Sequence, residues 1–303
     1  MSSYAPYEVS HDPGAFGLTP FDLPSPLGSL RLYATGTPTS GVVFLHGVGQ
    51  SWASWTPVLQ AAHQQRIDTE GWVFLDLPGF GDSADLPGPV TLPEVGDAVV
   101  AALAAHGLTE IVLVGHSMGG FLALDMLARS VAGVTGGVVL NGAYSGIVEF
   151  VNTALALARK RPALATAYGA LWFGSLLGSG LSRFFSRFRL TRRWFASALG
   201  LVAAHPRQLP DSFVRSLLVE VRPRSFRIAS RTGRGYDCDG TWARITLPLT
   251  AVFGEVDKLV DAGDRAELLR ACPHAREIVL DDTGHFTPIE RPTEVAKLVA
   301  AVR

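Results

Sequence analysis

The chain has 303 residues, 48% hydrophobic and only 17% charged, which is too apolar for a disordered protein and long enough to bury a sizeable core. A formal net charge of −1 gives no global attraction to nucleic acid. Two cysteines, Cys238 and Cys272, exclude a disulfide framework and a structural zinc site, and read as free thiols in a reducing compartment.

The first thirty residues carry Asp12, Asp22 and five prolines before any apolar run, so no signal peptide is read and a cytoplasmic protein is expected. Before residue 41, a stretch broken by Pro and Gly and containing Leu30–Tyr33 reads as an antiparallel edge hairpin. From 41 to 141, short apolar runs predict strands at Val42–Leu45, Trp72–Leu75, Ile111–Val114 and Val138–Leu140. Such continuous runs suit strands buried on both faces of a parallel sheet. Between them, helices are predicted at Ser54–Gln65, Pro93–His106 and Met118–Arg129, with Pro93 and Gly107 as start and stop signals.

The rhythm breaks from about 143 to 240. Helical patterns appear there at Ile147–Lys160, Pro162–Leu177, Thr191–Ala204 and Pro210–Val221, without convincing strands. Ala163–Leu181 is nineteen residues without a charge, close to the roughly 20 needed to span a bilayer. Its four glycines, and its place between two halves of one sheet, argue for a buried or membrane-touching lid helix, with no transmembrane span. After 245 the α/β pattern returns, with strands at Leu249–Phe253 and Glu277–Leu280 and helices at Ala262–Ala271 and Pro292–Ala301. Alternating units of this kind predict an α/β fold: a mostly parallel sheet with helices on both faces. The domain reading is a core of 1–142 and 241–303, with 143–240 as an inserted helical cap.

Charge divides the same way. Residues 151–235 hold 15 bases against two acids, Asp211 and Glu220, a net +13, while the rest holds 11 bases and 25 acids. A reversal of that size marks a segment with its own task.

The strongest chemical signal is Gly115-His116-Ser117-Met118-Gly119, directly after a predicted strand and before a predicted helix. This G-x-S-x-G pattern suits a serine on a sharp, strained turn above the carboxyl end of a sheet. A serine hydroxyl needs a base to take its proton. His285 follows the last predicted strand, so its loop should emerge at the same edge as Ser117. Of the other histidines, only His46 and His116 lie in motifs, where such rings shape a turn or pack beneath it.

With these motifs the chain resembles the α/β-hydrolase family over about 41–141 and 245–303. His46-Gly47-Val48-Gly49 resembles the family's oxyanion-hole loop, Asp76-Leu77-Pro78-Gly79-Phe80-Gly81-Asp82-Ser83 its next turn, and Gly284-His285-Phe286 its late histidine loop. The resemblance implies an eight-stranded, mostly parallel sheet with the helical cap after the sixth strand. It implies a triad of Ser117, His285 and Asp257, with Glu255 as the second choice of acid and Asp261 or Asp264 beginning the next helix. Asn141 follows the strand ending at Leu140, so the alternative acid position of some relatives is empty. The backbone N–H groups of Val48 and Met118 would form the oxyanion hole, and His46, Gly47, His116, Trp172 and Phe286 would face substrate.

Serine at 117 argues against the carboxylate nucleophile of dehalogenases and epoxide hydrolases. No nucleotide cofactor and no metal is implied. The expected activity is a cofactor-independent serine hydrolase cleaving an acyl bond: a carboxylic ester first, then a thioester or a carbon–carbon bond. An acyltransferase, a cofactor-free perhydrolase and a non-catalytic binding protein stand as alternatives. The expected substrate is a small acyl compound, anionic or amphipathic. The arginine-rich segment interleaves bases with Trp172, Phe173, Phe184, Phe185, Phe188, Trp194 and Phe195. It reads as a solvated basic face, as a receiver for an anionic group beside an acyl pocket, or as a peripheral contact with an anionic membrane; no nucleic-acid module is recognised. Oligomeric state is not legible.

Overall fold

The structure is a computed structural model that describes residues 4–143, 145–146, 148, 184 and 186–302. Apart from Val148 and Phe184, the expected helices Ile147–Lys160 and Pro162–Leu177, the run Ala163–Leu181, and Trp172, Phe173 and Phe185 lie outside the described residues.

Eight strands form one sheet: β1 (Thr19–Leu23), β2 (Leu30–Ala34), β3 (Ser40–Leu45), β4 (Trp72–Leu75), β5 (Glu110–His116), β6 (Val134–Leu140), β7 (Leu249–Gly254) and β8 (Arg276–Leu280). Their spatial order is β1-β2-β4-β3-β5-β6-β7-β8. β1 and β2 pair as an antiparallel hairpin and β2 runs antiparallel to β4, whereas β3 through β8 are mutually parallel. Pro20 cannot donate to a ladder, and it sits on the edge strand β1, where one side needs no donor.

The uninterrupted apolar strands follow from burial on both faces. Val43, Leu45, Leu113, Val139 and Phe253 enter one core layer with α2 (Leu92–His106) and α3 (Met118–Ala128). Their neighbours Val42, Phe44, Val114, Val138 and Val252 enter the opposite layer with α1 (Thr56–Gln64) and, near the C-terminus, residues Val295, Ala296 and Val299. Because side chains alternate across a strand, each residue meets one layer or the other, and none faces water long enough to be polar. α2 starts on a capping box: Thr91 Oγ1 accepts from Glu94 N–H while Glu94 accepts from Thr91 N–H, and Gly107 closes the helix at φ 97°. The predicted helix over Ser54–Gln65 is instead a 3-10 turn, Trp52–Trp55, followed by α1, because Ser51 caps the turn through Ala53 N–H and Pro57 stands in the first turn of the α-helix.

Between β6 and β7 the described residues form α4 (Arg189–Ala198), α5 (Asp211–Val219), α6 (Pro223–Ala229) and α7 (Cys238–Trp242), and no strand. The helix expected over Thr191–Ala204 stops at Ala198 and tightens into a 3-10 turn, Leu199–Leu201, so that 202–204 can cross to the sheet edge. Seven-residue α6 and five-residue α7 are too short to display a 3.6-residue period. After β7 come α8 (Ala262–Ala271), α9 (Thr287–Glu290) and α10 (Pro292–Ala300). Asp261 is the N-cap of α8 and exchanges hydrogen bonds with Asp264, as expected for acids that begin a helix. Parallel strands share one carboxyl edge, so the chain after β3, β5, β6, β7 and β8 emerges on the same side.

Candidate active site

At the end of β5, Ser117 adopts φ 57° and ψ −121°, a conformation that side chains disfavour and that type II′ turns use. The surrounding glycines make this turn sterically feasible. A Cβ on Gly115 would lie 2.3 Å from the Gly119 carbonyl oxygen, and one on Gly119 would lie 2.2 Å from that of Leu45. α3 can therefore start tight against β3, with Ser117 at its N-terminus and Met118 as its first residue. The first N–H groups of a helix have no intrahelical acceptor, so the Met118 amide is available to a ligand by position.

Three distant stretches meet at this turn. His285 Nε2 lies 2.9 Å from Ser117 Oγ, and His285 Nδ1 lies 2.8 Å from Asp257 Oδ2. Asp257 also accepts from Asn141 Nδ2 at 2.6 Å through Oδ2, and from Leu259 N–H at 2.8 Å and Val260 N–H at 3.3 Å through Oδ1. Both of its oxygens are acceptors, so the proton of the pair sits on His285 Nδ1. The Nε2 lone pair then faces the serine hydroxyl. Ser117, His285 and Asp257 are 4%, 2% and 7% exposed, so this chain of groups is shielded from bulk water. Glu255, the second choice of acid, is exposed and accepts from Asp282 N–H at 2.9 Å instead.

The histidine is held by its main chain as well as its ring. His285 N–H donates to Val202 O at 2.6 Å, and His116 Nε2–H donates to His285 O at 2.7 Å. Glu290, buried at the end of α9, accepts from Gly284 N–H at 2.7 Å, Phe286 N–H at 2.9 Å, Ala204 N–H at 3.1 Å and Tyr4 Oη–H at 3.0 Å. Burial pushes the Glu290 carboxyl up, and the three N–H donors and the Tyr4 hydroxyl pull against that shift. One carboxylate thus joins the histidine loop, the N-terminal segment and the stretch after α4.

The sequence groups His46 and His116 with the substrate-facing residues; in the structure both rings are occupied internally. His46 accepts Leu77 N–H at Nε2 (3.0 Å) and donates from Nδ1 to Gly47 O (2.8 Å), tying the loop after β3 to the turn after β4. Burial pushes its pKa down to about 4. His116 is pushed down to about 3, first by burial and then by the neighbouring His285. Both are neutral rings that position backbone, His46 through both ring nitrogens and His116 through Nε2.

Gly47 lies beside the serine: a Cβ there would come within 3.2 Å of Ser117 Cβ and 2.9 Å of Gln50 Oε1. Val48 follows on the same loop, half-buried. Phe286 packs edge-on to Phe213 at 4.9 Å between ring centroids and is 9% exposed, so most of its ring belongs to the core. Trp172 lies outside the described residues. Among the described residues no three metal-ligating side chains cluster.

Sequence reasoning passed over Thr287 and Glu290, and noted Asn141 only as an empty acid position. Thr287 Oγ1–H donates to Asn141 Oδ1, which fixes the amide so that its NH2 points at Asp257. The usable signal for Asn141 was its place immediately after β6, on the edge where Ser117 and Asp257 emerge. Glu290 carried no sequence signal beyond an acid in an apolar stretch.

Comparison with known proteins agrees with this architecture. The chain is 26% identical over 265 residues to the biotin biosynthesis bifunctional protein BioHC of Saccharophagus degradans, covering 86% of this chain but only 43% of that protein. It is 24% identical over 262 residues to the pimeloyl-[acyl-carrier protein] methyl ester esterase of Aliivibrio salmonicida, covering 84% and 88%. The solved epoxide hydrolase CorEH shares the fold with a TM-score of 0.70 at 18% identity, over 94% of this chain and 100% of that one. Residues 42–298 match the alpha/beta hydrolase family, and the chain belongs to it.

Proposed function

We infer that the protein is a cofactor-independent serine hydrolase that cleaves carboxylic esters through an acyl-serine intermediate. The observation that carries this reading is the continuous hydroxyl–imidazole–carboxylate chain, 2.9 Å and 2.8 Å between its members, in a buried setting. His285 takes the proton of Ser117 as Oγ attacks the acyl carbon. Negative charge then moves onto the carbonyl oxygen, where the backbone N–H groups of Val48 and Met118 receive it, assisted by the positive end of α3. His285 next gives its proton to the departing alkoxide, and the C–O bond breaks. A water molecule, deprotonated by the same imidazole, attacks the acyl carbon; the bond to Ser117 Oγ breaks, the imidazolium returns its proton to Oγ, and the acid is freed. Asp257 holds the tautomer throughout and stabilises the imidazolium.

The 143–240 segment acts in this reading as a cap over a small acyl substrate. Val202 O on the His285 main chain and Phe213 against Phe286 support that role. The relative named for methyl ester hydrolysis supports an ester as the scissile bond. We assign the enzyme to the cytoplasm, with which its two free thiols accord.

The test is a fluorophosphonate probe combined with hydrolysis of p-nitrophenyl esters of increasing chain length. Wild type should label at Ser117, and Ser117→Ala should lose labelling and at least about 10³-fold in turnover while staying folded. An alanine variant that keeps most of the esterase activity overturns the assignment.

A further inference from the structure

Five large apolar side chains stand exposed among the described residues, and four of them fall within eleven positions: Phe184 (51%), Phe188 (49%), Leu190 (82%) and Trp194 (76%). The run 184–198 contains four arginines and no acid. On α4, Leu190 and Trp194 are one turn apart and share a face with exposed Arg193. The opposite face is already in use. Ala196 and the following Leu199 are buried in the core layer that contains Phe213, and Arg192 is turned inward to Asp211 at 2.8 Å and Ser186 O at 2.6 Å. An ordinary surface helix keeps its outer face polar. Here the outer face carries leucine, tryptophan and guanidinium groups together, preceded by Phe188 with Phe184 edge-on to it at 5.3 Å and exposed Arg187 and Arg189.

We propose that this face docks the protein onto the anionic surface of a phospholipid bilayer. α4 has ten residues, too few to span, so it lies along the interface. Tryptophan and phenylalanine rings prefer the headgroup boundary, leucine inserts below it, and arginines keep their heads among phosphates while their stems lie on apolar surface. An acidic protein would satisfy the arginines, but four protruding apolar groups on adjacent turns would then need matching pockets. A fluid bilayer receives them without one. The proposal does not depend on the hydrolytic chemistry, because it rests on the exposed face of α4 and not on Ser117, His285 or Asp257.

Sedimentation of the full chain with phosphatidylcholine vesicles, and with phosphatidylcholine–phosphatidylglycerol vesicles, tests it. Wild type should bind the mixed vesicles and not the neutral ones, and should be released by about 1 M salt, where the Debye length shrinks to roughly 3 Å. Arg189→Glu/Arg193→Glu should weaken binding at least about 25-fold, from roughly fivefold per arginine. Leu190→Ser/Trp194→Ser should weaken it about tenfold or more, by removing the inserted surface. Both variants should retain the wild-type circular dichroism spectrum and short-ester hydrolysis. Absence of binding to mixed vesicles, equal binding to neutral ones, or either double variant binding like wild type overturns the proposal. Retention on immobilised polyglutamate without vesicle binding also overturns it and assigns the face to an acidic protein.

Discussion

Glu290→Gln isolates the part of the site that positions the histidine without touching the reacting groups. Three donors converge on Oε2 (Gly284 N–H, Ala204 N–H and Tyr4 Oη–H), and one, Phe286 N–H, on Oε1. A glutamine fits best with its oxygen in the place of Oε2, which keeps three bonds and turns its NH2 against the Phe286 N–H. The alternative rotamer opposes three donors and is worse. Because burial already pushes the Glu290 carboxyl up, removing its charge relieves a desolvation cost that offsets the lost charge assistance. What remains is one buried donor facing another, about 1–3 kcal/mol. At about 2–4 °C per kcal/mol for a domain near this size, the melting temperature should fall by about 2–12 °C. The orphaned N–H belongs to the residue after His285, so the imidazole should also shift, and kcat/KM for a soluble p-nitrophenyl ester should fall about 10- to 100-fold. Fluorophosphonate labelling should persist at a slower rate, since Ser117 is intact. A variant that melts within 1 °C of wild type and turns over at the same rate, on the same ~1 °C resolution in Tm, refutes the idea that this carboxylate fixes the loop.

Gly119→Ala should cost more than about 3 kcal/mol, because its Cβ would sit 2.2 Å from a backbone oxygen, whereas Gly88→Ala, with no atom within 4 Å, should stay within about 0.5 kcal/mol; chemical denaturation of the pair checks the contrast. Asn141→Ala should lower kcat about tenfold with KM unchanged, since Asp257 loses the donor that holds Oδ2 toward His285; unchanged kcat would mean the Leu259 and Val260 N–H groups suffice. Asp76, between the Trp52 and Asp82 N–H donors, is pushed by burial from 3.8 to about 7. Its folded-state pKa is raised, so its contribution to stability is complete below 3.8 and is lost as pH rises through 7, at about 1.4 kcal/mol per pH unit between. Urea midpoints for Asp76→Asn should therefore gain on wild type from pH 5 to 8, and a pH-independent gap would contradict the shift.

The strands, the Ser117 turn and the chain order were legible because each is written in local chemistry. β4 matches its apolar run residue for residue, and β5 and β6 extend theirs by only a few residues into Glu110, Gly115 and Val134. The Ser117 turn announces itself through glycines whose absent side chains are its steric condition. Asn141 and Glu290 were opaque for a different reason. Asn141 meets Asp257 across 116 positions, and Glu290 meets Tyr4 across 286, so their worth is set by strand order and by where the N-terminus docks. An asparagine at an acid's usual place reads as an empty slot until Thr287 is seen to orient it. His46 and His116 follow the turn-shaping reading of motif histidines: His46 bonds backbone through both ring nitrogens and His116 through Nε2.

The arginine excess between β6 and β7 shows why a count of charges cannot assign a role. Arg222 bonds Ser83 O at 2.9 Å, Asp85 at 2.9 Å and Gly81 O, and Arg224 reaches Pro87 O at 3.1 Å; these groups fasten the helical segment to the turn after β4. Arg192 closes on Asp211 and Ser186 within the segment itself. Arg187, Arg189 and Arg193 stand at the surface beside leucine and aromatic rings. Carbonyl acceptors neutralise nothing, so a guanidinium that serves cohesion still adds to the net +13 and looks identical in composition to one that faces outward. Salt separates them physically. A half-buried, multiply bonded Arg222 is screened little, while exposed arginines lose most of their reach beyond about 8–10 Å at physiological ionic strength. The segment can therefore stay attached to its core under conditions that release its outer face from an anionic partner.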